Sequence, residues 1–400
     1  MRKTANELRR REPFGEVSST SASTDGISRP RPISVLHIVL STVTGGMENV
    51  IYNLAYGRDP SRLEISVGCL LEIGHLSETL RGIGVQSSLV PKMIPGLTML
   101  YPKQLIKFIR DSHCDIVHTH SGCWTKVAAA CSYIPQIKVI YTEHGRTFPE
   151  SRLQVLQDRI AIRSTHKVVA VGEPLRKYLI NRVGLPAEKV VTIHNGIDTE
   201  RFKPSEEGKR VRDEFGYKDD EVVIAIVARL APVKDHRYLI EAFRILLQRC
   251  PQARLLIIGD GPLREKLDFM VESYNLGEQI HFAGDRNDVD RILTGMDVAT
   301  LSSQSEGISL TLLEAMSAEL PVVATAVGGN ITIIKDGING FLVEVNDINT
   351  YADLLTRLTQ SSDLRRRIGK EARVDVMANW SLKGMVDAYQ QLYEELITPY

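Results

Sequence analysis

Arg229 and Lys234 stand in the stretch Ala228-Arg229-Leu230-Ala231-Pro232-Val233-Lys234-Asp235-His236, directly after the apolar run Val222 to Ala228. A guanidinium offers a flat fork of donors and an ammonium a point charge, a combination that suits the oxygens of a diphosphate. The bland reading is a solvated basic loop, but the carboxyl end of a strand is where open α/β sheets take ligands. Two carboxylates follow in Ser305-Glu306-Gly307-Ile308-Ser309-Leu310-Thr311-Leu312-Leu313-Glu314. A helix starting near Ser309 places Glu306 in the loop at its positive end and Glu314 inside it, so both can face one ligand. Dipole pairing and a solvated helix face are the alternatives, the second weakened by the apolar neighbours Leu312, Leu313, Ala315 and Met316.

Gly45 and Gly46, in Thr44-Gly45-Gly46-Met47-Glu48, follow a strand-like run and open a helical pattern. Residues without side chains there let backbone N–H groups approach an anion, although a tight strand-to-helix turn needs no ligand. Gly259-Asp260-Gly261-Pro262 lacks the third glycine of a dinucleotide fingerprint, and its proline is expected in the first turn of the next helix. His118 and His120 share one face of a strand, so a metal pair is a rival reading, but no third or fourth ligand stands out.

The elements that must carry these residues are short β-branched runs alternating with amphipathic stretches, the pattern of a parallel sheet wrapped by helices. Thirteen runs read as buried strands: Ile33 to Leu40, Glu64 to Leu70, Val85 to Val90, Asp115 to His118, Ile137 to Thr142, Lys167 to Val171 and Val190 to His194, then Val222 to Ala228, Ala253 to Ile258, Gln279 to Ala283, Asp297 to Leu301, Pro321 to Thr325 and Gly340 to Val343. The polar stretch from Ile197 to Glu221 separates the two sets and marks a domain boundary. Residues 31–196 and 197–380 are thus expected as two doubly wound domains. Residues 1–30, with RRREP and SSTSAST, read as a disordered tail. Leu382, Met385, Val386, Tyr389, Leu392, Tyr393 and Leu396 lie at helical spacing, so residues 381–400 should form a closing helix.

A chain of 400 residues exceeds what one hydrophobic core supports, which agrees with two domains. Lys+Arg and Asp+Glu are 49 each, a balance that argues against a dedicated nucleic-acid binder. It is uneven, however: residues 31–196 hold 19 basic and 12 acidic side chains, residues 197–400 hold 24 and 33. Five cysteines without a C-x-x-C pair indicate neither a disulfide framework nor a zinc ribbon and fit a reducing cytoplasm. No apolar run is long enough to span a membrane, and the N-terminus lacks the hydrophobic centre of a secretory signal.

Together the motifs resemble those of the retaining glycosyltransferases of family 4, which have the GT-B fold of two Rossmann-like domains facing a cleft. The resemblance runs from about Ile33 to the C-terminus and rests on Gly45-Gly46-Met47-Glu48, Asn195-Gly196-Ile197-Asp198, Arg229 with Lys234, Gly259-Asp260-Gly261-Pro262, and Glu306 with Glu314, in family order. It implies transfer of a hexose-type sugar from a UDP- or GDP-sugar to a glycan or lipid-linked acceptor in cell-surface polysaccharide synthesis, without a metal or other cofactor. Gly45 and Gly46 would approach the diphosphate from the N-terminal, acceptor-side domain, and Arg229 and Lys234 would hold it from the other. Gly259 and Gly261 would belong to the donor site. Glu306 would contact donor hydroxyls beside the backbone of Gly307, Ile308 and Ser309, and Glu314 the ribose. His144, in Tyr141-Thr142-Glu143-His144-Gly145, would lie at the sugar's reacting face, with His118 and His120 nearer the acceptor. The C-terminal helix is expected back on the N-terminal domain. Two departures concern pocket shape: Ile308-Ser309 where family members often carry an aromatic residue, and Ala228 where they often carry glycine.

Asp288-Val289-Asp290 resembles the Asp-x-Asp metal motif of the other main glycosyltransferase fold, GT-A. At the start of a helical pattern with Ile292, Leu293 and Met296, Asp288 is instead expected as a helix cap. Family chemistry implies front-face attack, with the leaving phosphate taking the acceptor's proton. Two rivals share the architecture: a sugar-nucleotide isomerase of the UDP-N-acetylglucosamine 2-epimerase type, and a non-catalytic sugar-nucleotide-binding partner. The basic N-terminal half further suggests a cytoplasmic protein resting peripherally on an anionic membrane, with Lys103, Lys107 and Arg110 as the contact.

Overall fold

A computed structural model of the chain describes residues 31–43, 46–91, 101–145 and 151–397. Residues 1–30, expected as a tail, and Gly45 lie outside them. The first sheet contains β1 (Ile33–Ser41), β2 (Leu63–Glu72), β3 (Gln86–Leu89), β4 (Ile116–His120), β5 (Lys138–Glu143), β6 (Lys167–Ala170) and β7 (Val190–Thr192), in the order β3-β2-β1-β4-β5-β6-β7. The second contains β8 (Val222–Val227), β9 (Ala253–Ile258), β10 (Ile280–Gly284), β11 (Val298–Leu301), β12 (Val322–Thr325) and β13 (Phe341–Val343), in the order β10-β9-β8-β11-β12-β13. The pairings in both sheets are parallel. Each order reverses beside the first strand of its sheet, between β1 and β4 and between β8 and β11. Such reversals open the crevice in which doubly wound sheets bind ligands.

Strands buried on both faces should read as continuous apolar runs, and β8, Val-Val-Ile-Ala-Ile-Val, does so. β4 does not: Ile-Val-His-Thr-His is buried at every position although three of its five side chains are polar. Such a strand is stable only where its polar atoms find partners. The strand His37 interrupts is β1, in which it is also fully buried, and in register His37 lies directly opposite His118.

The helix Leu382–Ile397 closes the fold. Met385, Val386, Tyr389, Leu392 and Tyr393 are buried in a core continuous with Val50, Ile51 and Leu54 of the helix Gly46–Gly57. The burial of such side chains stabilises by roughly 1.5–3 kcal/mol each. The crossing between the sheets is made at the Asn-Gly-Ile-Asp motif. Ile197 N donates to Trp380 O at 3.0 Å and Leu382 N to Ile197 O at 2.8 Å, while Asn53 Nδ2 donates to Gly196 O at 3.2 Å. A Cβ on Gly196 would sit 2.4 Å from Ser381 O, so this glycine is required by close backbone approach.

Candidate active site

Beyond β8 the chain turns through Pro232–Lys234 into the helix His236–Leu247. Asp235 makes that turn in the left-handed region at φ 45°, which aspartate tolerates better than most residues, and its side chain caps the helix by accepting from Tyr238 N. Two further bonds lock this loop to the one after β11: Gln304 N donates to Val233 O at 2.8 Å and Ser302 Oγ to Lys234 O at 2.8 Å. The result is a short ion pair, Lys234 Nζ to Glu306 Oε1 at 2.6 Å, with Ser303 Oγ also donating to that carboxylate oxygen. The Glu306 side chain is only 9% exposed, so the pair is shielded from water far more than a surface bridge.

Behind Glu306 lies a glycine pair that the motif reading above passes over. In Val327-Gly328-Gly329-Asn330, Gly329 N donates to Gly307 O at 2.9 Å. A Cβ on Gly328 would fall 1.9 Å from Glu306 O, and one on Gly329 1.9 Å from Gly307 O. The signal was available: two glycines between a strand and a helix, as at Gly45-Gly46.

Across the crevice, the loop after β5 is built on Glu143, which is buried and accepts from Tyr141 Oη at 2.6 Å, Ser121 Oγ at 2.8 Å and Gly145 N at 3.3 Å. His144 N donates to Ser121 Oγ at 3.1 Å, and this anchoring places His144 in the lining of a cavity of about 390 Å³. Glu306, Gly307 and Ile308 line it from the other half of the chain, and the rest of the lining mixes apolar Val171, Pro174 and Leu175 with polar Tyr178 and Thr332. The two halves meet here: a Cβ on Gly307 would lie 2.4 Å from His144 O. Loss of hydration pulls the His144 pKa down to about 4, so its ring is neutral at pH 7.

The structure therefore brings together His144, Glu306, Gly307, Ile308 and, through the ion pair, Lys234. Arg229 lies exposed at the end of β8 and does not line the cavity. Gly259 and Gly261 pack against that same loop, since a Cβ on either would meet Ala228 O at 2.2 Å or Leu230 O at 2.7 Å; they shape the backbone around Arg229. Ser309 Oγ is engaged in capping the helix Leu310–Ser317 through Leu312 N. Glu314 lies away from the cavity, in the field of Arg201 and Asp290, and loss of hydration pushes its pKa up to about 8. Gly46 opens its helix as expected.

Three expectations need correction. His118 and His120, expected nearer the acceptor, do not stand at a surface: both are buried, His118 bonded to Tyr393 Oη and Thr142 Oγ1 at 2.7 Å each, and His120 to His37 and His144 at 2.9 Å each. The alternation along β4 put both rings on one face, but that face is covered by the C-terminal helix. Asp288 stands at an N-cap position without a cap bond, because Arg286 and Arg291 hold its carboxylate at 2.8 Å. Asp290 is likewise engaged, with Arg201 at 2.9 Å. Pro262 precedes its helix, which starts at Arg264, rather than lying in its first turn.

Residues 44–201 match the family described as Glycosyltransferase Family 4, and residues 209–375 match Glycosyl transferases group 1. A UDP-Gal:alpha-D-GlcNAc-diphosphoundecaprenol alpha-1,3-galactosyltransferase of Escherichia coli is 27% identical over 91% of this chain and 97% of its own length. The putative glycosyltransferase EpsD of Bacillus subtilis is 30% identical over 68% of this chain and 74% of its own. Among solved structures, Anabaena HepE in complex with UDP and glucose superposes with a TM-score of 0.79 at 21% identity, over 91% of this chain and all of that one. A cleft between two parallel sheets, a cation–carboxylate pair on one wall and a neutral histidine on the other are thus met in a chain whose two halves each match one part of the same enzyme group. This protein belongs to the family 4, group 1 glycosyltransferases and has their GT-B fold.

Proposed function

We propose that the protein transfers a hexose-type sugar, with retention, from a UDP- or GDP-sugar to a glycan or lipid-linked acceptor in cell-surface polysaccharide synthesis. The observation that carries this reading is the Lys234–Glu306 pair set opposite His144 at one cavity. Cleavage of the bond to the diphosphate builds negative charge on the leaving phosphate. Lys234, already held in place by Glu306 and by its loop, is preorganised to meet that charge, with Arg229 as a second cation from the same loop. Glu306 keeps a second carboxylate oxygen for a donor hydroxyl.

Glu306 is the one acid lining the cavity among the described residues. A double displacement of the glycosidase kind needs two carboxylates about 5–5.5 Å apart, so the lining favours front-face attack, in which the leaving phosphate accepts the acceptor's proton. Cationic side chains supply the charge that a metal would otherwise bring, which supports a metal-independent reaction. The E. coli relative, named for galactosyl transfer to a diphosphoundecaprenol-linked sugar, supports a lipid-linked acceptor.

The test is nucleotide release with UDP-glucose, UDP-galactose, UDP-N-acetylglucosamine and GDP-mannose, with and without a polyprenyl-diphosphate-linked N-acetylglucosamine and with and without EDTA. Acceptor-dependent, EDTA-insensitive release and an α-linked product are expected. An inverted product, or epimerised UDP-N-acetylglucosamine without acceptor, would overturn the reading. No helix among the described residues is long and apolar enough to cross a membrane, so access to such an acceptor would come by peripheral contact. Lys103, Lys107 and Arg110 lie exposed on the helix Lys103–Asp111, although Asp111 pairs with Lys107 at 2.6 Å. Their joint replacement by glutamine should abolish binding to anionic liposomes; unchanged binding would remove this surface from the proposal.

A further inference from the structure

Behind His144 runs a line of imidazoles. His120 Nδ1 lies 2.9 Å from His144 Nε2, and His120 Nε2 lies 2.9 Å from His37 Nδ1. Its inner end is closed: His37 is fully buried and its Nε2 has no partner. Burial holds His37 down to about pKa 3 and His120 well below its ordinary value, so all three rings are neutral and each carries one proton. His118 is not part of the line, because Tyr393 and Thr142 occupy both of its nitrogens; its ring stacks on His120 at 4.4 Å between centroids and walls the line in.

Three protons on this line can be arranged in two bonded ways. If His144 donates inward from Nε2, His120 must donate to His37, and the last proton sits on His37 Nε2 as a buried N–H without an acceptor. If His37 donates from Nδ1 to His120 and His120 from Nδ1 to His144, the buried end is left with only an unused lone pair. The last proton then sits on His144 Nδ1. A buried orphan donor is rarer and costlier than an under-used acceptor, so the outward arrangement wins.

We propose that His37 and His120 are positioning residues that hold His144 as its Nδ1–H tautomer and so present a hydrogen-bond donor to an oxygen of the sugar nucleotide in the cleft. This rests on the reading of the cavity as the transfer site. The arrangement needs no proton transfer: it fixes ring orientation and the polarity of one contact, the service that a hydrogen-bond partner on the other ring nitrogen gives to a reacting or ligating imidazole elsewhere.

The decisive measurement is the tautomer of His144 in the 15N-histidine-labelled wild-type protein, read from two-bond proton–nitrogen correlations. An Nδ1–H signal is expected, and an Nε2–H signal overturns the proposal without any variant. His120→Leu should shift His144 away from Nδ1–H and raise the donor KM by about tenfold with less change in kcat, as for one lost ligand hydrogen bond. His120→Asn, whose amide nitrogen can occupy the Nδ1 position, should restore both, as should His37→Asn relative to His37→Leu. Equal tautomers in wild type and a folded His120→Leu protein overturn it. The ligand atoms of His37, His118 and His120 lie within 4.8 Å of one another, so metal content is measured alongside. A stoichiometric transition metal that is lost in His37→Leu would replace the protons of the line and overturn it too. His144→Ala reports on the underlying reading by itself: an unchanged donor KM there removes His144 from the transfer site, whatever tautomer the wild type shows.

Discussion

Lys234 and Glu306 are each other's partner before any substrate enters, at 2.6 Å and largely out of water. A preformed pair of this kind costs little reorganisation when charge develops on a phosphate, which is why its loss should appear in turnover. Lys234→Ala is expected to lower kcat by a factor of a hundred to a thousand, roughly 3–4 kcal/mol, and to lower the melting temperature as well, because the shielded Glu306 carboxylate loses its cation; undiminished turnover in the folded variant would exclude Lys234 from the reaction. Glu314 offers a second test. Its pKa is pushed up to about 8 from 4.5, so between those values the folded protein binds a proton that the unfolded chain releases. Its contribution is therefore most favourable below pH 4.5 and is lost as pH rises through 8. Thermal melts from pH 5 to pH 9 should show wild type falling relative to Glu314→Gln as pH rises; parallel curves would mean that the carboxyl is better hydrated than its setting implies. If donor ribose hydroxyls bind the charged carboxylate, nucleotide binding should also release protons near neutral pH, as titrations in buffers of different ionisation enthalpy would detect.

At the scale of elements, the site depends on loops packed backbone against backbone. The Gly328-Gly329 turn after β12 supports Glu306 and Gly307 from behind, and no side chain fits between them. Gly329→Ala should push the Glu306 loop forward, raise the donor KM and lower kcat, with a stability loss of about 1–3 kcal/mol from overpacking; kinetics like wild type would show that the loop relaxes freely. The C-terminal helix plays a different part. Tyr393 Oη bonds His118 at 2.7 Å, and Tyr389 Oη lies 3.1 Å from Thr142 Oγ1, so this helix satisfies polar atoms of β4 and β5 that would otherwise be buried alone. Tyr393→Phe should cost about 1–3 kcal/mol by leaving a His118 nitrogen unpaired, measured by denaturant unfolding. A cost near zero would mean that water enters and replaces the hydroxyl.

At the scale of the whole molecule, the two halves touch where the chemistry is expected. Gly307 approaches His144 O so closely that a methyl group cannot be added, and Ile308 Cδ1 would stand 3.5 Å from a Cβ on Gly172 across the cleft. Gly307→Ala should therefore hold the halves apart without unfolding either one. Small-angle scattering with UDP should show a more open particle than wild type, and turnover should fall while the melting temperature barely changes; identical scattering and activity would mean that this contact is not needed for closure.

Periodicity and composition by themselves determined the framework: all thirteen strand positions, their division into two sheets across the polar segment Ile197 to Glu221, and the loops at which charged residues gather. This was legible because a strand buried on both faces has to be written as an apolar run, and because ligand loops follow such runs. The histidines of β4 were legible only as two residues on one face. That this face is buried was decided by a helix whose Tyr393, 275 residues further on, bonds His118, and by His37, which reaches His120 from the neighbouring strand β1. Asp288 is the opposite case: it is spelled like a cap, but arginines two residues before and three after it take its carboxylate, a competition that lies within the local sequence. Local sequence carries backbone preference and burial pattern, since these depend on neighbours in the chain. The partner of a buried polar atom depends on what folding brings beside it, and for His118 that partner comes from the other end of the chain.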